Sequence, residues 1–373
     1  MLESYAWWYE LDPAPARIAA AEQAAKQALA LAPDLPQAQL ATGYADYYGK
    51  RDYAGALAQF ERVHQSLPNN AAAIAAIAFI HRRQGKWRQA LAELQQATEL
   101  DPRNPRWPDE SGVTLMALRR YGEAGQQFDR ALAIEPDNYY VLTRKIRTLF
   151  LAGEFVQARR VLAKIPAGDD PQGLISGIRY ESAFLAREPD RALAALTGAP
   201  VMMQGPDTLG EVPASLLRAE AWNLKGDAAH ARQSYTDACA TLQAAVHREP
   251  DNPDLWSVLG EAEAGLGEKD AALRDGRHAT QLFPVSKDVL AGPFYLATLA
   301  QIYARLSEPD QAVKLLARLL AMLAGRVVSV PLLRLDPGWD LIRRDPDFRA
   351  LLKRYGKRAP VATTTAASFT TAE

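Results

Sequence analysis

The chain has 373 residues and is rich in alanine and leucine, with 43 lysines and arginines against 44 aspartates and glutamates. A formal net charge of −1 gives no electrostatic reason to expect binding to nucleic acid or to an anionic membrane surface. The single cysteine, Cys239, excludes an intrachain disulfide and a metal site built from cysteines.

The amino-terminal residues lack the basic segment and apolar run that mark a signal peptide. The longest apolar stretch, residues 71–80, ends at His81-Arg82-Arg83 and falls far short of the ~20 residues that a membrane span needs. We therefore expect a soluble, cytoplasmic protein without membrane insertion. The alternative is the exported part of a membrane-anchored parent.

A unit of about 34 residues returns along the chain with constant internal spacing. One set of four positions recurs 34 residues later, as Ala90, Leu94, Ala97 and Pro102 and then Ala124, Phe128, Ala131 and Pro136. The same spacing occurs upstream and downstream, as Ala56, Phe60, Val63 and Pro68 and as Ala272, Gly276, Ala279 and Pro284. A fixed period of this size indicates stacked repeats, each of which buries its apolar face against its neighbours.

Each unit is predicted to be two helices joined by a short turn. In residues 71–104 the turn falls at Gly85-Lys86-Trp87, and Pro102 ends the second helix because proline lacks the amide hydrogen. Small residues mark the places where the two helices cross closely. Larger side chains there would overpack the contact at a cost of about 1–3 kcal/mol each.

This pattern resembles the tetratricopeptide repeat family, whose unit is a helix–turn–helix of this length with small residues, aromatics and a terminal proline in these positions. The resemblance extends to about Leu323. It implies an all-α fold, a right-handed superhelical solenoid of about nine helix pairs with a carboxy-terminal cap.

Irregularities in the repeat predict the domain organisation. We expect amino-terminal repeat units at 1–166, a degenerate segment and hinge at 167–212, carboxy-terminal units at 213–324, a capping segment at 325–357 and a disordered tail at 358–373. Asp336-Pro337 and Asp345-Pro346 are each predicted to start a helix in the cap. The apolar residues expected to cover the last helix pair are Trp339, Leu341, Phe348, Leu351 and Leu352.

A search for reactive chemistry returns no enzyme signature. The five histidines are scattered, and His81 is predicted to have a packing or groove role. The carboxylates of Asp169 and Asp170 are expected to cap a helix. We therefore predict a non-enzymatic protein without catalytic residues, metal or cofactor.

In the tetratricopeptide family the first helices of the pairs line the concave wall and contact ligands. The equivalent positions predicted here as a partner-binding groove are Tyr44, Tyr47, Tyr48, Phe79, Arg82, Arg83, Val113, Met116, Tyr140, Arg144, Arg147 and Phe150. Aromatic residues and arginines are enriched at binding hot spots. Later units change character and offer Glu181, Glu220, Asp254 and Glu261. The alternative is that the aromatics are inter-helix packing and that the arginines form a solvated face.

Two function classes follow from the resemblance. The first is a scaffold that binds a protein or peptide in its groove. The second is a regulator that binds a small molecule and changes curvature. Relatives that grip a carboxy-terminal carboxylate use paired asparagines, but Phe79 and Val113 hold the corresponding positions, which disfavours that mode.

The segment 330–348 resembles the end of repeat regions in bacterial signalling proteins. We therefore expect a signalling setting, although the kinase, cyclase or DNA-binding domain of those families is missing here. The oligomeric state is left open.

Overall fold

The computed structural model describes residues 15–166, 168, 170–205 and 210–356. Within these ranges the fold is α-helical apart from one two-stranded sheet. The predicted all-α solenoid of helix pairs is confirmed. No helix of the described residues combines the length and the apolar character needed to cross a membrane.

The first part of the described chain contains one helix and then four helix pairs. Their bounds are α1 (Pro15–Leu31), α2 (Pro36–Tyr44) with α3 (Tyr53–Ser66), α4 (Ala71–Arg83) with α5 (Trp87–Leu100), α6 (Arg106–Ala117) with α7 (Tyr121–Ile134), and α8 (Tyr139–Ala152) with α9 (Phe155–Leu162). Helix α2 continues as a wider π-helix at Ala45–Lys50. Helix α1 lies at the start of the predicted amino-terminal units 1–166, and the residues before Pro15 lie outside the described ones.

Four further pairs follow, separated from the first four by residues 163–173. Their bounds are α10 (Leu174–Leu185) with α11 (Pro189–Ala195), α12 (Ala214–Lys225) with α13 (Ala228–Arg248), α14 (Pro253–Leu266) with α15 (Lys269–Leu282), and α16 (Gly292–Arg305) with α17 (Pro309–Ala321). Strands β1 (Met202–Gln204) and β2 (Glu211–Pro213) pair antiparallel between α11 and α12, with Met203 opposite Val212. The predicted degenerate segment 167–212 thus includes a helix pair and most of a hairpin. Its action as a hinge, like the predicted domain division, stays a prediction.

The turn inside each described pair has one residue with left-handed backbone. These residues are Arg51, Gly85, Arg119, Gly153, Arg187, Gly226, Gly267 and Ser307. The following amide then donates back to the preceding helix, as Lys86 N–H does to the His81 carbonyl at 2.8 Å. This is the helix ending that glycine favours, because glycine carries no Cβ to clash. Arginine or serine takes the same conformation in half of the turns, so glycine alone would not have located them.

The repeating small and large residues form the core between paired helices. Ala90, Leu94 and Ala97 are fully buried. A Cβ atom on Gly112 would lie 2.5 Å from the Phe128 ring, and one on Gly43 would lie 2.4 Å from the Phe60 ring. Such distances are too short for any side chain, which confirms close helix crossings at these small residues.

The chain divides into two compact units. Of the described residues, unit 1 contains those in 15–114 and 126–141 together with the short segment Ser286–Leu290. Unit 2 contains the described residues of 115–125, 142–285 and 291–356. In the described part of unit 1, one buried cluster runs from Leu40 to Trp107. Unit 2 contains a cluster around Tyr235 and a second around Leu316 and Phe348.

The capping segment contains three short helices, α18 (Val330–Leu335), a 3-10 helix (Pro337–Ile342) and α19 (Pro346–Gly356). Both predicted Asp-Pro starts are confirmed. Asp336 accepts a hydrogen bond from the Gly338 amide at 2.8 Å, and Asp345 accepts one from the Phe348 amide at 2.9 Å. Each satisfies an amide that has no partner inside the helix.

Four of the five predicted covering residues behave as expected. Trp339, Phe348 and Leu351 are buried in the cluster of the last helix pair, and Leu352 packs against it. The prediction is wrong for Leu341, which is 67% exposed because it lies on the outer side of the 3-10 helix. The predicted disordered tail lies outside the described residues.

Candidate functional site

The predicted aromatic side chains of unit 1 pack ring against ring. Tyr47 lies 4.7 Å from Tyr48 and 6.3 Å from Phe79 between ring centroids, and Tyr44 stacks on Tyr48 at 6.2 Å. Tyr44, Tyr47 and Phe79 are buried, and Tyr48 is half-buried. These four rings therefore pack the first helices of neighbouring repeats against each other.

Arg82 is also buried. Its guanidinium donates to the Glu110 carboxylate at 2.6 Å and lies 5.3 Å from the centre of the Phe79 ring. Burial lowers the pKa of Arg82, but the Glu110 charge outweighs this effect and the net pKa is raised. Arg82 therefore forms a buried ion pair between α4 and α6.

Arg83 lies on the same helix and contacts a different group. Its Nε donates to the Tyr47 hydroxyl at 2.8 Å, and its Nη1 donates to the Asp288 carboxylate at 2.9 Å. The guanidinium also lies 5.3 Å from the centre of the Tyr47 ring. We call Tyr47, Tyr53, Arg83 and Asp288 the Arg83 cluster.

The segment Ser286–Leu290 brings Asp288 into this cluster. The Asp288 side chain is completely buried, and its Oδ2 also accepts a hydrogen bond from the Tyr53 hydroxyl at 2.6 Å. One residue later, the Val289 amide donates to the Arg83 carbonyl at 3.1 Å. A short stretch of the chain thus lies against predicted groove residues, held by one carboxylate and one backbone hydrogen bond.

The charge states of the cluster suit carboxylate binding. Burial raises the pKa of Tyr53 far above its ordinary value, so the phenol keeps its proton and remains a donor. Burial lowers the pKa of Arg83, but the Asp288 charge and the neighbouring tyrosines outweigh this, and the net pKa lies well above its usual value. One cation and one neutral donor therefore share a single carboxylate oxygen, a charge-assisted arrangement.

The other predicted groove residues do not join this cluster. Met116 is buried, and Tyr140 and Arg144 are half-buried. In unit 2, Phe150 is buried and stacks on Phe155 at 5.9 Å, and Arg147 donates to the Glu181 carboxylate. Partner binding by any of the predicted residues stays a prediction.

Sequence reasoning missed Tyr53 and Asp288. Tyr53 starts a second helix, whereas the prediction was drawn from first helices. Asp288 lies 205 residues from Arg83, in the connection between α15, which ends at Leu282, and α16, which begins at Gly292. The length of that connection was the only available signal.

Two smaller predictions are confirmed. His81 is buried, and its Nδ1 lies 2.8 Å from the Glu93 carboxylate. The side chain therefore packs inside the repeat, as predicted. Asp170 caps α10 by accepting hydrogen bonds from the amides of Ile175 and Ser176. Asp169 lies outside the described residues. Across the described ranges, no group of three or more metal-ligating side chains is placed to hold a metal ion.

Comparison with known families decides the identity of the repeat. One model described as tetratricopeptide repeat matches residues 47–107 and 115–176, and a second matches residues 212–253 and 231–286. Together they cover more than half of the chain. The chain belongs to the tetratricopeptide repeat family. Neither match is to a catalytic domain, and tetratricopeptide repeats serve as scaffolds for protein interactions.

One curated protein and one solved structure illustrate what this tetratricopeptide protein is similar to. Cellulose synthase operon protein C of Xanthomonas axonopodis pv. citri (strain 306) is 26% identical over 302 residues. The match covers 73% of this chain but only 19% of that protein, so the chain spans about a fifth of the relative's length. Among solved structures, yeast Tom70 superposes with a TM-score of 0.51 at 16% identity, covering 82% of this chain and 63% of that one. The Tom70 match shows the fold alone.

Proposed function

We propose that this tetratricopeptide scaffold binds a short segment of a partner protein through the Arg83 cluster, with an aspartate of the partner in the place of Asp288. The supporting observation is the segment Ser286–Leu290, whose Asp288 carboxylate accepts hydrogen bonds from both Arg83 and Tyr53. A surface that holds this segment has the donors needed to hold a similar one from another chain.

The same contacts specify what the partner must offer. The carboxylate accepts hydrogen bonds from the Arg83 guanidinium and the Tyr53 hydroxyl. The backbone amide of the following residue donates to the Arg83 carbonyl. Two fixed points along the bound segment set both its direction and its register. The partner motif is therefore an aspartate followed by apolar residues, as in Asp288-Val289-Leu290.

The partner has to displace the chain's own segment. If the unoccupied state is a small fraction of the molecules, the apparent affinity falls by that fraction. Weakening the internal contact should therefore strengthen binding of a partner, which separates this proposal from simple surface adhesion.

The test uses a labelled peptide with the sequence of residues 284–292 and a matched peptide with asparagine in place of the aspartate. Binding is measured by fluorescence polarisation to the full chain and to its Asp288→Ala and Asp288→Asn variants. We expect both variants to bind the aspartate peptide about tenfold or more tightly than the unmodified chain, because an internal competitor has been weakened. The asparagine peptide should bind poorly to all three.

Adding Arg83→Ala to either Asp288 variant should abolish binding. Arg88→Ala on the exposed face of α5 serves as the matched control and should leave binding unchanged. Failure of a folded Asp288 variant to bind the aspartate peptide, or equal binding of both peptides, would contradict the proposal.

We further propose a bacterial regulatory assembly as the setting of this scaffold. The signalling setting predicted from residues 330–348 is one version. The operon name of the Xanthomonas relative supports a second, in cellulose synthesis. The genes that flank the coding sequence distinguish the two settings, since an adjacent glycosyltransferase gene favours the second and an adjacent kinase or cyclase gene favours the first.

A further inference from the structure

Unit 2 contains a cavity of about 60 Å³ that is independent of the Arg83 cluster. A cavity needs only ~10–15 Å³ to hold a single water molecule, so this cavity can hold a group of several atoms. Three of the four acidic first-helix positions noted in the sequence line it, namely Glu181, Glu220 and Glu261. Asp336 of the capping segment is the fourth carboxylate in its wall.

The cavity wall has an excess of negative charge. Its four carboxylates face two guanidinium groups, those of Arg147 and Arg305. Arg305 donates to Glu220 at 2.7 Å, and Tyr180 donates to the second oxygen of the same carboxylate at 3.1 Å. Arg147 donates to Oε1 of Glu181. Each of the two arginines therefore donates to one carboxylate of the wall.

Glu181 has an unfilled acceptor at this cavity. The residue is only 6% exposed, and its Oε2 is buried without a hydrogen-bond partner in the part of the chain that the structure describes. A buried carboxylate oxygen without a donor is costly, since it has lost its hydration and received nothing in exchange. A positively charged hydrogen-bond donor would give Oε2 of Glu181 a partner and would also be attracted to the other carboxylates of the wall.

The rest of the wall is aliphatic. Leu185, Val212, Leu216, Leu217 and Leu332 line the same cavity. A ligand with a cationic group and an alkyl chain matches this combination, because the alkyl chain can contact the aliphatic side chains while the cationic group contacts the carboxylates. Within the described residues the acidic side chains do not form a group that could hold a metal ion.

We propose that this cavity binds an alkylammonium group, with an ammonium N–H donating to Oε2 of Glu181. The ligand class is a primary amine with an aliphatic chain. A free small amine and the side chain of a partner's lysine share this chemistry.

The first test compares three probes by calorimetry on the full chain at constant ionic strength. n-Butylammonium chloride has both the charge and the N–H donors, tetramethylammonium chloride has the charge alone, and 1-butanol has the alkyl chain without the charge. We expect n-butylammonium to bind about tenfold or more tightly than either comparator, as a hydrogen bond to a buried charge predicts. No measurable binding of n-butylammonium, or equal binding of all three probes, would overturn the proposal and leave a water site.

The second test replaces the acceptor. Glu181→Gln removes one negative charge with little change of shape and should weaken n-butylammonium binding about tenfold. Glu188→Gln is the matched control, because Glu188 also pairs with arginines in unit 2 but does not line the cavity. Equal affinity of the Glu181→Gln chain and the unmodified chain would also overturn the proposal. If Glu181→Gln does not fold, the three-probe series on the unmodified chain decides.

A fourth probe identifies the source of the amine. Nα-acetyl-lysinamide that binds as tightly as n-butylammonium supports a partner's lysine, whereas exclusion of this bulkier compound supports a free small amine. Both results presuppose the ammonium site established by the first test.

Discussion

The guanidinium of Arg83 and the carboxylate of Asp288 are joined by a hydrogen bond of 2.9 Å, although 205 residues separate them in the chain. Asp288 is completely buried and Arg83 is largely so. Removing Arg83 leaves the Asp288 charge out of contact with water, and removing Asp288 leaves the Arg83 charge largely shielded from it. The pair therefore fastens the segment Ser286–Leu290 within unit 1.

We expect Asp288→Ala to lower the free energy of unfolding by about 3 kcal/mol, because the Arg83 charge is left buried without its counterion. Urea unfolding followed by circular dichroism measures the change. Asp251→Ala, at an exposed aspartate, is the control and should have little effect. A similar small loss for both variants would show that the buried pair does not stabilise the fold.

The crossing of α6 and α7 should not tolerate a methyl group at Gly112. A Cβ there would lie 2.5 Å from the Phe128 ring, so we expect Gly112→Ala to cost about 1–3 kcal/mol of unfolding free energy. A Cβ on Gly122 in α7 meets nothing within 4 Å, and Gly122→Ala should stabilise by up to about 1 kcal/mol through helix propensity. Thermal unfolding of the two variants compares them directly, and the same sign for both would contradict the packing argument.

The buried carboxyl group of Glu263 should make stability depend on pH. Burial and the neighbouring Asp275 raise the pKa of Glu263 to about 8 from an ordinary 4.5. Between these values the folded chain holds a proton that the unfolded chain has lost, so stability falls as pH rises and levels off above about 8.

Urea titrations across this pH range should show the decline in the unmodified chain and a flatter profile in Glu263→Gln, which cannot ionise. Above pH 8 the Glu263→Gln chain should be the more stable of the two. Glu61→Gln, at an exposed position, should keep the original profile. An unchanged slope in Glu263→Gln would assign the pH dependence to other groups.

Cys239 should be unreactive in the folded protein. The residue is buried, and burial raises the pKa of its thiol to about 12, so little thiolate is present at neutral pH. We expect no reaction with a thiol reagent such as DTNB under native conditions and one reacted thiol per chain in denaturing urea. Rapid reaction of the native protein would show that α13 opens locally.

The capping segment should stabilise the last helix pair through Phe348. Its side chain is fully buried in the cluster that includes Leu316, so Phe348→Ala should cost about 3–5 kcal/mol. Leu341→Ala, in the same segment but 67% exposed, should change stability by less than about 0.5 kcal/mol. Equal effects of the two substitutions in urea unfolding would mean that the segment does not act as a cap.

Much of the fold was predictable because helix pairing in a repeat protein is local. The spacing of Ala90, Leu94 and Ala97 puts one face of α5 against α4, and the partner helix is adjacent in the sequence. The Asp-Pro starts at Asp336 and Asp345 depend on amides only two or three residues away. The turns at Arg119 and Arg187 were not predictable from composition, since their left-handed backbone lacks the usual glycine.

The site was less predictable because a helical period identifies a buried face without saying which neighbour buries it. Tyr47 and Arg83 were predicted as groove residues, with inter-helix packing as the alternative for the aromatic ring, but the acidic partner of Arg83 was not predicted. The sequence by itself determined the helix pairs, their small-residue crossings and the acidic character of the later first helices. Only the tertiary structure decided that Asp288 reaches Arg83 and that Glu181, Glu220 and Glu261 share one cavity with Asp336. The reason is physical, since such contacts join residues far apart in the chain and depend on packing that no local pattern records.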